Sequence, residues 1–407
     1  LADDEIEAIV QRWMLAKRPV ILAGVGVRLA GGEARLLELI ERSGTPVQLT
    51  WIGIDLVSSD HPLYAGRPGA FASRAANFAI QNADFVLCIG ARLDFATTGF
   101  SRERFAREAY RIAVDCDAAE IDKLGKNVDV GLVADAAQFI DGLLTKMPAV
   151  GGPDFGNWIS KIKGWETRYP IVTDEMRNLK YKVSTYALIE KLGELLEPED
   201  VIVEGSAGVH SEIFFMTFDV KFGQRILADG SYGSMGYGLP AAIGACVANG
   251  RRRTVLVDGD GSLQPQLQEL ETIKREKLPI KIIVVNNGGY SSIRVSQSRY
   301  FERLVGADET SGLSLPSFSK LADAYGIPYC EISDYGTLSS TLSRALAIDG
   351  PTICEVFVPE EEDRVPRLAN LQREDGSMVS KPLEDMFPFL PRDEFLDNMI
   401  IAPILED

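Results

Sequence analysis

The sequence has little of what several protein classes require. Its five cysteines are scattered without C-x-x-C spacing, which indicates reduced thiols in a cytoplasmic protein rather than disulfides or a zinc cluster. No apolar run reaches the roughly 18 residues that a membrane-spanning helix needs. Basic residues (42) are outnumbered by acidic ones (59), and the net charge of −17 disfavours nucleic acid as a partner. A soluble globular protein is therefore expected.

The 407 residues are enough for two or three domains. Short β-rich runs alternate with helical patterns over residues 1–150 and again over 183–359, which predicts an α/β fold with two doubly wound parallel sheets. Residues 151–182 start with a Gly- and Pro-rich stretch and are interpreted as a linker. Residues 360–407 are charged and poor in strand signals, so we predict a C-terminal arm packed on the second domain.

The strongest motif consists of two polar clusters, each placed directly after an apolar strand. GDG at 259–261 is followed, after 24 intervening residues, by NN at 286–287. Because both clusters follow strands of one βαβ unit, we expect them to converge at the edge where open α/β sheets bind ligands. The alternative is an ordinary Asp-Gly turn, which would not explain the second polar pair.

These residue types suit Mg²⁺ bound to a diphosphate. Mg²⁺ takes oxygen ligands and shares its octahedron between one or two protein groups and phosphate oxygens. Asp260 offers a carboxylate, Asn287 an amide oxygen, and Gly289 a main-chain carbonyl. Gly261 permits close approach of the backbone to the phosphate, and Ser262 is expected to begin a helix whose free N–H groups favour an anion.

GDG, 24 residues and NN together resemble the signature of thiamine-diphosphate enzymes, and the similarity to the acetolactate synthase type extends over nearly the whole chain. The resemblance implies thiamine diphosphate and Mg²⁺ as cofactors, with the metal held by Asp260, Asn287 and Gly289. The coenzyme-binding residues that it implies are Ser206, Ala207, Gly233, Ser234, Met235, Gly259, Asp260, Gly261, Ser262, Asn287, Gly289, Tyr290 and Ser291.

A second segment, residues 227–248 (LADGSYGSMGYGLPAAIGACVA), also resembles the family. There it borders the aminopyrimidine ring, which implies that Gly233 and Met235 hydrogen-bond the ring through their backbone. The Met235 side chain would lie under the coenzyme and enforce its bent conformation, which makes Met235 the catalytic residue expected from this chain. Considered alone, a methionine is more often a core residue.

A third segment, VEGSAG at 203–208, ends a strand with small polar residues. In related enzymes this turn contacts the far end of the diphosphate, which implies contacts from Ser206 and Ala207. Acetolactate synthases usually place Gln-His there, and His210 follows a few positions later. For His210, a solvent-facing position or a helix start is as compatible with the sequence as catalysis, and the same holds for His61.

The first domain resembles the central domain of these enzymes, in which some members hold a non-redox FAD. FAD is therefore a possible cofactor, with Arg74 and Arg92 as candidate contacts. Gly24-x-Gly26 lacks the third glycine of a dinucleotide fingerprint, so the motif itself is weak support and a nicotinamide dehydrogenase is disfavoured.

Family members carry a further domain ahead of this region, which donates a catalytic glutamate, usually to a neighbouring subunit. No residue here is a candidate for that glutamate, so we expect a separate subunit or a lost preceding segment to supply it. The resemblance also implies that the protein forms a homodimer or homotetramer. The resemblance implies decarboxylation of a 2-oxo acid such as pyruvate and its carboligation to an acceptor carbonyl. The alternatives are a 2-oxo acid decarboxylase, a 2-hydroxyacyl-CoA lyase, and a non-catalytic subunit with the same fold.

Overall fold

The computed structural model describes residues 2–148, 152–205, 208–230, 232–372 and 378–404. The chain divides into two compact units. The first joins Leu1–Ile171 to Val365–Asp407, and the second is the continuous segment Val172–Arg364.

The first unit is built on a parallel sheet with helices on both faces. Its strands are β1 Pro19–Ala23, β2 Val47–Leu49, β3 Phe85–Ile89, β4 Tyr110–Asp115 and β5 Val130–Val133. Its helices up to residue 171 are α1 Asp3–Met14, α2 Val25–Leu29, α3 Glu33–Ser43, α4 Arg74–Asn82, α5 Ala118–Asp122, α6 Ala136–Lys146 and α7 Gly156–Arg168. The strand order is β2-β1-β3-β4-β5, and every pairing is parallel.

Local sequence explains these elements. All five residues of β1 and of β3 are buried, as expected for central strands of a parallel sheet covered on both faces. Helix α3 buries Leu36, Leu39 and Ile40, which share one face at helical spacing. It ends at Gly44, whose left-handed conformation (φ 64°) suits a residue without a side chain. The sequence pattern over residues 33–43 by itself predicts a helix, and the structure confirms it.

The second unit repeats the architecture with six strands. The strands are β6 Val201–Glu204, β7 Arg225–Ala228, β8 Thr254–Gly259, β9 Ile280–Asn286, β10 Tyr329–Ile332 and β11 Thr352–Phe357. The helices are α8 Asp174–Arg177, α9 Thr185–Leu195, α10 Val209–Thr217, α11 Gly238–Ala248, α12 Glu269–Arg275, α13 Ser291–Phe301, α14 Phe318–Tyr325 and α15 Tyr335–Ala347. The order is β10-β11-β9-β8-β6-β7, again all parallel, so the predicted fold class is confirmed.

Each sheet has a switch point, where consecutive crossovers leave one strand in opposite directions. In the first sheet it lies between β1 and β3, because β2 pairs with one side of β1 and β3 with the other. In the second it lies between β6 and β8, since β7 pairs with the opposite side of β6. Open α/β sheets bind ligands in the crevice at such points.

The C-terminal segment contains β12 Asn370–Gln372, antiparallel to β13 Met378–Ser380, and helix α16 Arg392–Asn398. The prediction that this arm packs on the second domain is wrong, because residues 365–404 belong to the first unit. The reason lies in α4, all nine residues of which are buried. Its polar side chains need partners, and the arm supplies them: Asn77 donates to the Leu383 carbonyl (3.0 Å) and Gln81 to the Glu384 carboxylate (2.6 Å).

The segment interpreted as a linker also differs. Helix α7 lies within it and belongs to the first unit, where Trp158 and Trp165 are buried. The Trp165 indole N–H donates to the Asn398 side-chain oxygen at 2.8 Å, which ties α7 to α16. The second unit accordingly begins at residue 172.

Within the described ranges, none of the helices combines the length and the apolar character that crossing a bilayer requires.

Candidate functional site

Three turns follow neighbouring strands of the second sheet, because β8 lies between β6 and β9. The turn after β8 carries Asp260, and the turn after β9 carries Asn287 and Gly289. The two turns are joined directly: the Gly289 amide donates to the Asp260 carboxylate at 2.9 Å. The polar clusters predicted to converge thus lie together at the carboxyl edge of this sheet, and the turn after β8 borders its switch point.

Asp260 is almost fully buried, with 1% of its surface exposed. Its carboxylate accepts the amides of Gly261 (2.8 Å) and Gly289 (2.9 Å). Burial nevertheless raises the pKa of Asp260 from 3.8 to about 6, although these hydrogen bonds lower it. A carboxylate has about four acceptor positions, so capacity remains for a cation that would stabilise its charge.

The Asn287 side chain is also buried, and its Oδ1 atom has no hydrogen-bond partner among the described residues. A buried acceptor without a partner costs about 1–3 kcal/mol. No group of three or more His, Cys, Asp or Glu side chains in the described part of the chain could hold a metal ion. A metal here would depend on mixed oxygen ligands, and a buried carboxylate beside an unsatisfied amide oxygen fits Mg²⁺.

Arg294, on α13, holds the loop that carries Asn287, and sequence reasoning missed it. Its buried guanidinium donates to the carbonyls of Asn287 (2.9 Å), Gly288 (3.3 Å) and Glu360 (2.9 Å). The hydrogen bonds between described residues leave the Gly289 carbonyl without a donor. The third predicted ligand is therefore the one carbonyl of residues 287–289 that Arg294 does not occupy.

Gly261 lies against the ring of Tyr290. A Cβ atom at residue 261 would come within 2.4 Å of the Tyr290 Cε1 atom. The Tyr290 amide donates to the Ala307 carbonyl at 2.8 Å, so this N–H group is used inside the protein. Ser291 is buried and begins α13. Among the predicted coenzyme contacts that follow Asn287 in sequence, it is therefore the Tyr290 ring that borders the GDG turn.

Ser262 does not begin a helix, and this prediction is wrong. Its carbonyl accepts the Gly236 amide at 2.8 Å, so it is not available to a helical N–H group four residues later. The chain continues through a 3₁₀ turn, and α12 starts only at Glu269. The Ser262 side chain is buried, and its hydroxyl hydrogen-bonds the Asp258 carboxylate, which partly offsets the rise in the pKa of Asp258 caused by burial.

The hydrogen bond from Gly236 brings the second predicted segment beside the GDG turn. In that segment the amides of Gly233 and Ser234 donate to the Asp229 carbonyl (3.3 Å) and carboxylate (3.0 Å). Gly233 has φ 59°, a left-handed conformation that glycine adopts without strain. The Met235 side chain is 50% exposed, so it is not the core residue that its chemistry alone would favour.

The third predicted segment follows β6, and its two proposed contacts, Ser206 and Ala207, lie outside the described residues. Gly205 shows why the turn needs a glycine. A Cβ atom there would come within 2.3 Å of the Asp258 Cγ atom. Asp258, also missed by sequence reasoning, is fully buried, and burial raises its pKa to about 7.

His210 is buried in the second unit and does not face solvent. Its Nε2 atom lies 3.5 Å from the Glu204 carboxylate, at the end of β6. The ring also packs on the GDG turn, since a Cβ atom at Gly259 would come within 3.1 Å of the His210 Cε1 atom. Burial lowers the pKa of His210 to about 4, so the imidazole is neutral at physiological pH. His61 lies in the first unit, where its Nδ1 atom accepts the Leu63 amide at 3.2 Å.

Gly24 and Gly26 of the first unit allow two turns to pack closely. The Gly24 amide donates to the Ile89 carbonyl at 3.0 Å, and a Cβ atom at residue 24 would come within 2.2 Å of the Gly90 carbonyl oxygen. A Cβ atom at Gly26 would lie 2.7 Å from the Gly90 Cα atom. The turns after β1 and β3 thus close on each other at the switch point of this sheet.

The two arginines proposed as FAD contacts have structural partners. Arg74 is buried and donates to the carbonyls of Met386 (3.1 Å) and Pro388 in the arm. Burial lowers its pKa. Arg92 is largely exposed and forms an ion pair with Glu120 at 3.1 Å.

Comparison with known proteins matches both units. Residues 6–143 match the family model described as thiamine pyrophosphate enzyme, central domain, and residues 206–356 match the one described as thiamine pyrophosphate enzyme, C-terminal TPP binding domain. The chain is 31% identical to probable acetolactate synthase 2, chloroplastic, of Oryza sativa subsp. japonica, over 87% of this chain and 54% of the relative. It is 30% identical to acetolactate synthase isozyme 1 large subunit of Escherichia coli strain K12, over 86% and 60%. The chain therefore spans only somewhat more than half the length of these relatives.

Proposed function

Because this chain belongs to the thiamine pyrophosphate enzyme family and resembles acetolactate synthases, we propose that it binds thiamine diphosphate through Mg²⁺ in an enzyme that decarboxylates a 2-oxo acid. The further step would be carboligation to an acceptor carbonyl, with pyruvate as the donor. The observation that carries the proposal is the Asn287 oxygen, which is buried without a partner among the described residues, in the loop whose Gly289 amide bonds the Asp260 carboxylate.

In this proposal Asp260, the Asn287 amide oxygen and the Gly289 carbonyl would hold the Mg²⁺ that accompanies the diphosphate. The bound coenzyme supplies an electron sink for the decarboxylation. The chain's own part is to orient it. Met235 is half exposed in the segment that the Gly236 hydrogen bond joins to the GDG turn, and it would support the coenzyme from below. The neutral His210 packs against Gly259 and would exclude water from the turn.

Several parts of the proposal concern groups beyond the described residues. The diphosphate contacts of Ser206 and Ala207, the catalytic glutamate from another domain, and the assembly into a homodimer or homotetramer remain predictions. FAD also remains a prediction, and Gly24 and Gly26 lend it no support, because their contacts with Gly90 already account for them. A cytoplasmic location is compatible with the five free cysteines.

The first test is binding. Titration calorimetry of the 407-residue chain with thiamine diphosphate and Mg²⁺ is expected to show Mg²⁺-dependent binding. Asp260→Asn keeps the shape of the side chain but removes its charge. It should weaken the Mg²⁺-dependent binding by about 100-fold, the upper end of the range of about 10–100-fold for loss of a partner at a metal site. Asp55→Asn, which neutralises a buried carboxylate paired with Arg28 in the first unit, is the matched control. Wild-type chain that does not bind, or an Asp260→Asn chain that binds normally, contradicts the proposal.

The second test is the reaction. Together with the domain that supplies the glutamate, the chain is given pyruvate with and without a second carbonyl compound, and the products are identified. A hydroxyketone joined from the two supports carboligation. Release of acetaldehyde alone would indicate a simple decarboxylase. Coenzyme binding without any turnover would indicate a non-catalytic subunit.

A further inference from the structure

Glu355, on β11, is a buried carboxylate that the proposed chemistry does not use. One carboxylate oxygen accepts the Asn286 side-chain N–H at 2.6 Å, and the other accepts the Tyr329 hydroxyl at 2.6 Å. Asn286 ends β9 and Tyr329 begins β10, the two strands on either side of β11. A hydrogen-bonded chain thus crosses three strands and ends next to Asn287.

Asn286 uses both ends of its amide. Its nitrogen donates to Glu355, and its oxygen accepts the Gly288 amide at 2.9 Å. If the amide were flipped, its NH₂ group would face the Gly288 N–H group, and its oxygen would face the Glu355 carboxylate. Both contacts would be repulsive, so the flipped orientation is disfavoured. The charge on Glu355 therefore fixes which end of Asn286 faces the loop.

The loop needs such support. Gly288 and Gly289 have φ 73° and 139°, conformations that only glycine adopts readily and that a flexible chain does not keep unaided. Arg294 bonds the carbonyls of Asn287 and Gly288 but not the Gly288 amide. That amide donates to the Asn286 oxygen and also contributes to the hydrogen bonding of the Asp260 carboxylate, and Glu355 orients Asn286.

We propose that the hydrogen-bonded side chains of Tyr329, Glu355 and Asn286 position the 287–289 loop. In that position the Asn287 oxygen and the Gly289 carbonyl would face one metal ion together. Glu355 and Tyr329 are positioning residues, since they act on the metal only through Asn286. The proposal rests on the function proposed above, because the metal is the one expected with thiamine diphosphate. Outer partners of this kind typically change metal affinity by about 10–100-fold.

The main experiment measures the Mg²⁺ affinity of the 407-residue chain by calorimetry at saturating thiamine diphosphate. Glu355→Ala is expected to weaken Mg²⁺ binding by about 10–100-fold. Asn286→Asp sets two carboxylates against each other and should also weaken it. The double variant Asn286→Asp with Glu355→Gln reverses donor and acceptor and should recover most of the affinity, because the pair is complementary again.

Tyr329→Phe tests the outer end of the chain and should weaken Mg²⁺ binding by only a few-fold, roughly the loss of one hydrogen bond to a charged group that keeps its other partner. Tyr169→Phe is the matched control. It removes a tyrosine hydroxyl that donates to a carboxylate, Glu394, at 2.7 Å in the first unit, and should leave Mg²⁺ affinity unchanged.

A second measurement needs no ligand. Amide hydrogen exchange of the peptide that contains Gly288 and Gly289 should accelerate in Glu355→Ala, because the Gly288 amide loses its oriented acceptor. Melting temperatures are recorded for every variant.

The outcomes separate the two proposals. If wild-type chain binds no Mg²⁺ with thiamine diphosphate, the proposed function fails, and exchange alone decides the positioning role. If wild type binds but Glu355→Ala changes only the melting temperature, with unaltered affinity and exchange, the positioning role is refuted. Failure of the double variant to recover affinity also counts against it.

Discussion

The two switch points of this molecule are built from the same topology but differ in content. Between β1 and β3, the turns pack backbone against backbone, with Gly24 and Gly26 on Gly90. Next to β8 in the second sheet, the buried Asn287 oxygen has no hydrogen-bond partner among the described residues. One crevice is closed by its own chain, and the other keeps hydrogen-bonding capacity that no described residue satisfies.

The difference shows that fold alone does not mark a ligand site. Both sheets present glycine-rich turns at the place where ligands bind in such folds. The glycines of the first sheet serve the contact of two turns. The turns at the site in the second sheet differ in holding a buried acceptor, the Asn287 oxygen, that no described residue satisfies, a state that is costly unless a ligand relieves it.

The largest expected effect is on the closed crevice. Gly24→Ala places a Cβ atom 2.2 Å from the Gly90 carbonyl oxygen, where backbone cannot yield cheaply. We expect the free energy of unfolding of the first unit to fall by about 3 kcal/mol. Gly164→Ala in α7, where a Cβ atom meets nothing within 4 Å, should instead be stabilising by about 0.5–1 kcal/mol. Denaturant unfolding measures both. If Gly24→Ala is neutral, the crevice is open in solution and the contrast disappears.

The comparison is sharpened by two buried asparagines. Asn77 is fully satisfied, since its amide bonds the Gly69 N–H and carbonyl and the Leu383 carbonyl. Asn77→Ala should lower the free energy of unfolding by about 2 kcal/mol and leave Mg²⁺ binding unchanged. Asn287→Ala should do the reverse, with less than about 1 kcal/mol lost and Mg²⁺ affinity reduced by at least about tenfold. Equal destabilisation by both variants would mean that the Asn287 oxygen has a protein partner after all.

The smallest expected net effect is a pH dependence of the second unit, because two buried groups, His210 and Asp258, oppose each other there. The pKa of His210 is lowered by burial from 6.5 to about 4. The folded state thus disfavours the proton, so His210 contributes stability that is present above pH 6.5 and is lost as the pH falls through about 4. His210→Gln should reduce this loss by up to about 3 kcal/mol between pH 7 and pH 4, since one pKa unit corresponds to about 1.4 kcal/mol.

Since burial raises the pKa of Asp258 to about 7, that group acts in the opposite sense over the same pH range. The quantity to measure is therefore the difference in unfolding free energy between wild type and His210→Gln at each pH. A difference that does not vary with pH would show that His210 is hydrated in solution.

Much of the fold could be predicted from local pattern. The helix over residues 33–43 follows from apolar spacing and a glycine stop, and the strands that carry Asp260 and Asn287 follow from apolar runs that end in polar residues. The convergence of those two turns needed only the rule that parallel strands share one carboxyl edge. These features depend on neighbours in sequence.

The features that could not be predicted depend on contacts between residues that are distant in sequence. Ser262 does not start a helix because its carbonyl bonds Gly236, from another loop. The link from Asn286 to Glu355 spans 69 residues, and no periodicity reveals it. The prediction that the arm packs on the second domain is wrong for the same reason. That Asn77 requires a hydrogen-bond partner can be inferred only once α4 is known to be buried on all sides.

The course of the chain through the two units bears on how the protein is made. The second unit is a continuous segment, and its two ends are joined by an ion pair between Lys182 and Glu360 and by a hydrogen bond from Ser184 to Glu362. The first unit is completed only by the arm, which is synthesised after the second unit. On the ribosome the second unit can therefore fold before the first, because the polar side chains of α4 lack their partners until residues 365–404 have been made.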